Sequence, residues 1–204
     1  MPTGTPIRDI RERLLDAAER VLLRHGADAL TSRAVTTDAG VAKGILHRHF
    51  ADFDTFLATL VLARIERLDA LSTELRASAG TTTLVDNLIH ALAAALSPSA
   101  IRLITLVSSR DELLAKLRLT TPAGVPLLAE MTRMTAAYLT AERGLGRVAI
   151  DTDVDTLAVM LVGSSHLLAA SSQPTPLRPG DLRAVVTNAV EDVVQSQPAR
   201  AKRT

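Results

Sequence analysis

The 204-residue sequence predicts an all-α protein, with a small three-helix domain at its N-terminus and a larger helical bundle after it. Three observations lead there. Aromatic residues make up 2% of the chain, whereas sandwiches and barrels draw on aromatic and β-branched residues in short, turn-bounded runs. Long Ala-, Leu- and Arg-rich stretches carry few interior glycines, which suits helix. Apolar residues also recur at three- and four-residue spacing between clear chain breakers.

The elements follow in order. Ile10, Leu14, Ala17, Ala18, Val21 and Leu22 share one face of a helix expected over 8–25, with Gly26 placed to end it. A short helix over 32–39 starts at a Thr31 or Ser32 cap and stops at Gly40. A third short helix covers 43–49 and a longer one 54–77. Apolar helices are then expected over 83–96, 99–119, 125–143, 153–171 and 181–195. Their separators are Ser97-Pro98, Thr121-Pro122, Gly144-Leu145-Gly146 and Gln173-Pro174-Thr175-Pro176. No internal repeat is visible.

Composition narrows the function. The chain has no cysteine, which removes disulfide scaffolds, thiolate nucleophiles and Cys-based zinc sites, and suits a reducing cytoplasm. Residues 1–10 lack the apolar segment of a signal peptide. The most apolar stretch, 157–170, is short and carries Ser164, Ser165 and His166, so it reads as a buried helix with no membrane role. With a net charge of +1, any nucleic-acid binding must rest on local placement of charge. No nucleophile elbow, His-Glu-x-x-His, phosphate loop or acidic metal motif is present, so neither an enzyme nor a metal or cofactor site is expected.

The informative segment is 31–50, Thr-Ser-Arg-Ala-Val-Thr-Thr-Asp-Ala-Gly-Val-Ala-Lys-Gly-Ile-Leu-His-Arg-His-Phe. A DNA-reading helix pair crosses steeply over a turn of a few residues. Ala39 is small enough for the helices to approach, and Gly40 supplies the positive φ of such a turn. Val41 plugs the joint, while Val35, Leu46 and Phe50 face the first helix. Lys43, Gly44, Ile45, His47 and Arg48 are then left for a major groove. The Ala-Gly-Val turn alone also fits a plain corner between two helices. The order around it (long helix, glycine, Thr-Ser cap, turn, short helix, His-Phe, long helix) favours a helix-turn-helix.

Residues 8–60 resemble the head of the tetracycline-repressor (TetR) family of transcriptional regulators. The matches are Leu14-Leu-Asp-Ala-Ala18, Gly26, Leu30-Thr-Ser32, Ala39-Gly-Val41, His49-Phe50 and Phe56-Leu57, in the family's order and spacing. The resemblance implies a helix-turn-helix DNA-binding domain over 1–53 and a ligand-binding and dimerisation domain over 54–197. A disordered basic tail, 198–204, completes the expected division. It also implies a ligand-responsive regulator, in most members a repressor, that binds a palindromic operator on double-stranded DNA as a homodimer. Asp153–Gly163 resembles the penultimate helix of many members, which pairs with the last helix to join two copies.

The DNA-contacting residues carried over by position are Thr31, Ser32, Arg33, Lys43, Gly44, Ile45, His47, Arg48 and His49. Arg33 and Lys43 suit guanine O6 and N7, Ile45 a thymine methyl, and Arg48 either a base or a phosphate. Thr31, Ser32 and His47 suit phosphates, which set register. Each also reads as part of a solvated helix face. Arg33, Lys43 and Arg48 against Asp38 leave two positive charges over 31–50.

Four positions depart from the family pattern. His47 stands for a common Tyr, Phe53 for a Lys, Ala42 for a capping Ser or Thr, and Thr36 for an Ala. These departures support a second reading: a head with weak or no DNA binding, on a helical dimer that binds small molecules or other proteins.

In the body, Arg102, Thr105, Met131, Met134, Tyr138 and His166 are candidates to line an effector site. Each also reads as an ordinary core or solvated residue. Few aromatics favour an aliphatic or lipophilic small molecule over one that needs ring stacking. An inward Arg102 or Arg110 would add an anionic group.

Overall fold

The computed structural model describes residues 7–121, 124–172, 175 and 177–194. The basic tail expected at 198–204, the end of the last expected helix at Gln195, the chain start before residue 7, and the breakers Pro122, Gln173, Pro174 and Pro176 lie outside them. The described residues form ten helices: α1 (Ile7–His25), α2 (Ser32–Asp38), α3 (Ile45–His49), α4 (Phe53–Ala77), α5 (Leu84–Ala95), α6 (Pro98–Ser108), α7 (Asp111–Leu117), α8 (Pro126–Gly144), α9 (Val154–Ser171) and α10 (Pro179–Val190). Among these residues there is no strand, only one isolated antiparallel bridge between Val148 and Val194.

The chain gathers into two compact units, Met1–Glu66 with Pro98–Ala129, and Arg67–Ser97 with Glu130–Thr204. Within the first unit α6 packs on α1.

In the first unit the expected face of α1 is sealed from Leu14 onward, with Ile10 half-buried. Leu14, Ala17, Ala18, Val21 and Leu22 are buried, together with Val35, Leu46, Phe50, Phe56 and Leu57. On α6, Ala100, Ile101, Leu103, Ile104, Leu106 and Val107 are buried, and on α7 Leu113 and Leu117. The chain's three phenylalanines form one cluster, with Phe50 edge-on to Phe56 at 5.0 Å and Phe53 stacked on Phe56 at 5.7 Å. Such ring pairs add about 0.5–1.5 kcal/mol beyond area burial.

The helix expected over 99–119 is broken in two. Arg110 is extended (φ −128°, ψ 96°) and caps α7, whose first turn holds Asp111 and Glu112. Carboxylates favour a helix start, where free N–H groups gather. Ser109 Oγ also donates to Leu106 O, drawing one late carbonyl of α6 away from the ladder. The reading helix starts later than expected as well, at Ile45. Ala42 has no hydroxyl to cap a start at Lys43, and Gly44 caps α3 without any side-chain bond.

In the second unit α10 packs on α5 and α9. Leu84, Leu88, Ile89 and Leu92 of α5 are buried, as are Leu182, Val186 and Val190 of α10, and Leu157, Ala158, Leu161 and Val162 of α9. Each such leucine contributes about 1.5–3 kcal/mol by leaving water. α10 ends at Val190, short of the expected 195, because the chain turns there and Ala149 N–H donates to Val193 O at 3.0 Å beside the Val148–Val194 bridge.

α9 is longer than the apolar stretch over 157–170. At 18 residues it is long and apolar enough, by length and composition, to cross a membrane. Seven of its residues, Val154 to Ala169, nevertheless face the unit's core, so its apolarity supplies packing.

Candidate nucleic-acid interface

The segment from Thr31 to Phe50 is a helix pair held at both ends of its turn. Thr31 caps α2, its Oγ1 accepting from Ala34 N–H at 3.1 Å. Gly40 has a φ of +65°, and nothing lies within 4 Å of where a Cβ would stand, so the turn needs glycine for its backbone alone. Val41 N–H then returns to Thr36 O at 3.0 Å. Thr36 is buried, and its hydroxyl donates to Ser32 O at 2.9 Å, which satisfies the polar atom that replaced a methyl under the turn.

Arginines of α1 fasten this pair, and reading the sequence missed their role. Arg13 donates to Ala39 O at 2.9 Å, where α2 ends. Arg11 donates to His49 O at 3.2 Å, where α3 ends, and its guanidinium lies 4.4 Å above the Phe50 ring. Helix C-termini leave carbonyls without partners and attract cations, so both contacts are favourable. Arg20 reaches Asp38 Oδ2 at 2.8 Å, and Arg24 pairs with Asp38 Oδ1. Burial would raise the Asp38 carboxyl, but the bonds and charge of Arg20 and Arg24 outweigh it and hold the group below its ordinary range. Asp38, the one carboxylate within residues 31–50, is therefore already paired. The alternation of acids and arginines along α1 was the only signal for this in the sequence.

The structure sorts the candidate contact residues by burial. Thr31, Arg33, Lys43, Gly44, His47 and Arg48 are exposed, and Ser32, Ile45 and His49 are half-buried. Leu46 and Phe50 point inward, which leaves the Lys43–Arg48 surface open. Lys43 and Gly44 lie in the turn before α3, one step ahead of the helix itself. Thr31, Arg33, Ala34 and Thr37 line one shallow groove with Arg24 and Asp38, and Thr31 and Ser32 line another with Phe53 and Arg110.

The effector candidates divide between the units. In the first, Arg102 donates to Leu22 O and to Leu23 O (2.8 Å), so its guanidinium covers the last carbonyls of α1. Thr105 is exposed and bonds back to Ile101 O. In the second, Met131, Met134 and Tyr138 are buried along α8, and His166 is half-buried on α9.

Tyr138 belongs to a buried polar cluster. Its phenol donates to Glu142 Oε1 at 2.5 Å and accepts from Asn87 Nδ2 at 3.0 Å. Burial, followed by the bond to Glu142, pushes the phenol far above its ordinary range. Burial alone lowers the His166 imidazole. Next to it, the hydroxyl of Ser165 is fully buried without a hydrogen-bond partner. Among the described residues, no three His, Asp or Glu side chains gather to hold a metal ion.

Comparison with known proteins places this geometry. Residues 14–57 match the family described as bacterial regulatory proteins, tetR family. Among curated proteins none matches the chain. Solved structures match along nearly the whole chain. A transcriptional regulator from Rhodococcus sp. Rha1 superposes with a TM-score of 0.68 at 19% identity, over 92% of this chain and 99% of that one. A TetR family member from Streptomyces coelicolor A3 gives 0.60 at 25% identity, over 89% and 98%. The multidrug binding protein EbrR, solved with imidazole, gives 0.61 at 24% identity, over 96% and 99%.

Proposed function

We propose that this member of the tetR family of bacterial regulatory proteins, identified by residues 14–57 and by its all-helical fold, is an effector-responsive repressor that binds a palindromic operator as a homodimer. The observation that carries the reading is the open surface of Lys43, Gly44, His47 and Arg48, over a buried Leu46 and Phe50 and a carboxylate already paired at Asp38. Arg33 and Lys43 read base edges, Ile45 a thymine methyl, and Arg48 a base or a phosphate. Thr31, Ser32, His47 and His49 set register on phosphates.

Two heads related by a two-fold axis call for an inverted repeat. The surface that supports pairing lies on α9, where Val159, Met160 and Leu167 are 59%, 55% and 69% exposed. With Gly163, Ser164 and Ala170 they make a stripe at helical spacing that suits a second copy through α9 and α10. The effector is a small, largely lipophilic molecule. The buried hydroxyl of Ser165 beside His166, and Met131 and Met134 on α8, support a site in the second unit. EbrR, a multidrug binding protein, lends this support from a similar fold. An effector favouring one spacing of the heads shifts DNA affinity by its differential binding, typically about 1–3 kcal/mol. Such a protein works beside DNA in the cytoplasm and carries out no reaction itself.

Selection of bound sequences from a random duplex pool tests this directly. The expected product is an inverted repeat. Recovery of unrelated sequences, or of half-sites only, would overturn it. The short α3, whose Gly44 cap offers no side-chain bond, favours the second reading, a helical dimer with a weak head. DNA binding that lacks the salt slope of counterion release would establish that alternative.

A further inference from the structure

The start of α4 is acidic where it borders the groove lined by Thr31 and Ser32, two of the proposed phosphate contacts. Phe53, its first residue, lines one groove with Thr31 and Ser32. Asp52 precedes it as an exposed cap, its Oδ1 accepting from Thr55 N–H at 2.6 Å, and Asp54 follows in the first turn. Carboxylates suit a helix N-terminus, where free N–H groups gather. They oppose a phosphate chain laid along the same edge.

Both carboxylates meet cations from a distant part of the sequence. Lys116 Nζ, on α7, lies 2.7 and 2.8 Å from the two oxygens of Asp52 and 3.2 Å from Thr55 Oγ1. The Lys116 bond is the largest cause holding the Asp52 carboxyl well below the usual carboxylate range. Arg110, the cap of α7, lies 3.5 Å from Asp54 Oδ1 and 6.0 Å from the Phe53 ring centre. That Asp54 oxygen is buried and has no hydrogen-bond partner, so the Arg110 charge is what faces it. Arg110 also lines the groove shared by Thr31, Ser32 and Phe53.

We propose that Lys116 and Arg110 act as positioning residues for DNA binding, by neutralising Asp52 and Asp54 at the edge where the head meets the phosphate backbone. The inference rests on the DNA-binding reading above and extends the determinants of affinity beyond residues 14–57. The two cations need not touch DNA. They remove a repulsion that the helix-capping carboxylates of α4 would otherwise exert.

Charge-removing and charge-pairing variants separate this from a direct phosphate contact. The probe is the inverted repeat recovered by selection, titrated at low and high salt, with thermal unfolding recorded for every variant. Lys116→Gln and Arg110→Gln should each weaken binding about three- to tenfold at low salt, and less at high salt, as screening shortens the reach of an unpaired carboxylate. Asp52→Asn keeps a good cap and should bind as tightly as wild type or more so. The doubles K116Q/D52N and R110Q/D54N should return to wild-type affinity, and K116R should never lose it. A folded K116Q that binds like wild type overturns the inference. So does a loss that D52N fails to rescue, which would make Lys116 a DNA contact in its own right. Failure of the wild-type protein to select any duplex would instead overturn the functional reading beneath it.

Discussion

The phenol of Tyr138 donates to Glu142 Oε1 at 2.5 Å, one turn further along α8, with both side chains sealed from solvent. The same carboxylate receives Gly80 N–H at 3.3 Å and faces Arg147 Nη1 at 3.3 Å. Arg147 in turn donates to Thr82 O, and Asn87 joins the phenol to Ser78 O. One acid thereby fastens the turn between α4 and α5 to the end of α8. Glu142→Ala would take the acceptor from a buried phenol and a backbone N–H and the ion-pair partner from the half-buried Arg147 guanidinium, and should cost about 3–5 kcal/mol. Tyr138→Phe removes one hydroxyl and should cost about 1 kcal/mol. Urea unfolding checks the ratio, and equal losses would mean that the cluster does not centre on Glu142. The phenol's folded-state pKa is raised, so its contribution is complete below the unfolded value near 10.0 and is lost as pH climbs above that value.

Gly40 offers a cleaner test of backbone geometry. Nothing stands within 4 Å of a Cβ there, so Gly40→Ala pays only for the positive φ. The expected cost is about 1–2 kcal/mol, with operator affinity falling as the turn relaxes. Gly40→Asn should be milder, because asparagine tolerates this region. If alanine were as well accepted as asparagine in chemical unfolding, the turn would not depend on that φ.

Arg33 stands exposed in the first turn of α2, and Lys43 stands exposed on the approach to α3. Substituting either by alanine should cost about 1–3 kcal/mol on the selected operator and relax preference at one base position. A uniform loss across all sequences would reassign the residue to the phosphate backbone. Competition titrations against single-base operator variants distinguish the two results.

The head was legible because its signals are local. Apolar spacing on α1, a Thr cap and a turn glycine name the elements without any knowledge of partners. The break between α6 and α7 carries no glycine or proline, only Ser109-Arg110, and depends on where Leu113 and Leu117 find the core. Tertiary partners were equally hidden. The guanidinium of Arg102 covers carbonyls of α1 some eighty residues earlier, a contact that no local spacing announces. The spacing of Met131, Met134 and Tyr138 showed an apolar face, and nothing in it revealed the bond from Tyr138 to Glu142 or the amide of Asn87. The contacts of α1 arginines with the ends of α2 and α3 escaped for the same reason.

His166 predicts how the protein responds to acid. Burial depresses its imidazole pKa, so the neutral form is the one that packs. The sign follows from linkage: stability from this group is present above the unfolded value of 6.5 and is lost as pH falls through the lower folded value. Thermal midpoints of the wild type should therefore drop on acidification below pH 6.5, and His166→Gln should flatten that part of the profile. An unchanged profile in the variant would assign the acid sensitivity elsewhere.

The exposed stripe of α9 leads to a prediction about assembly. Met160 and Leu167 lie on the face opposite Leu161 and Ala169, which fill the core, so a charge there does not disturb the unit's own packing. In a two-fold contact a residue near the axis meets its own copy, and a glutamate placed there brings two like charges together out of water. Leu167→Glu and Met160→Glu should each yield monomers by sedimentation while keeping a helical circular-dichroism spectrum. Their affinity for a full inverted repeat should fall toward that for a single half-site, because the second head is no longer tethered to the first. A Leu167→Glu protein that sediments as a dimer would move the contact off α9, and the palindromic operator would then require another surface to bring the two heads together.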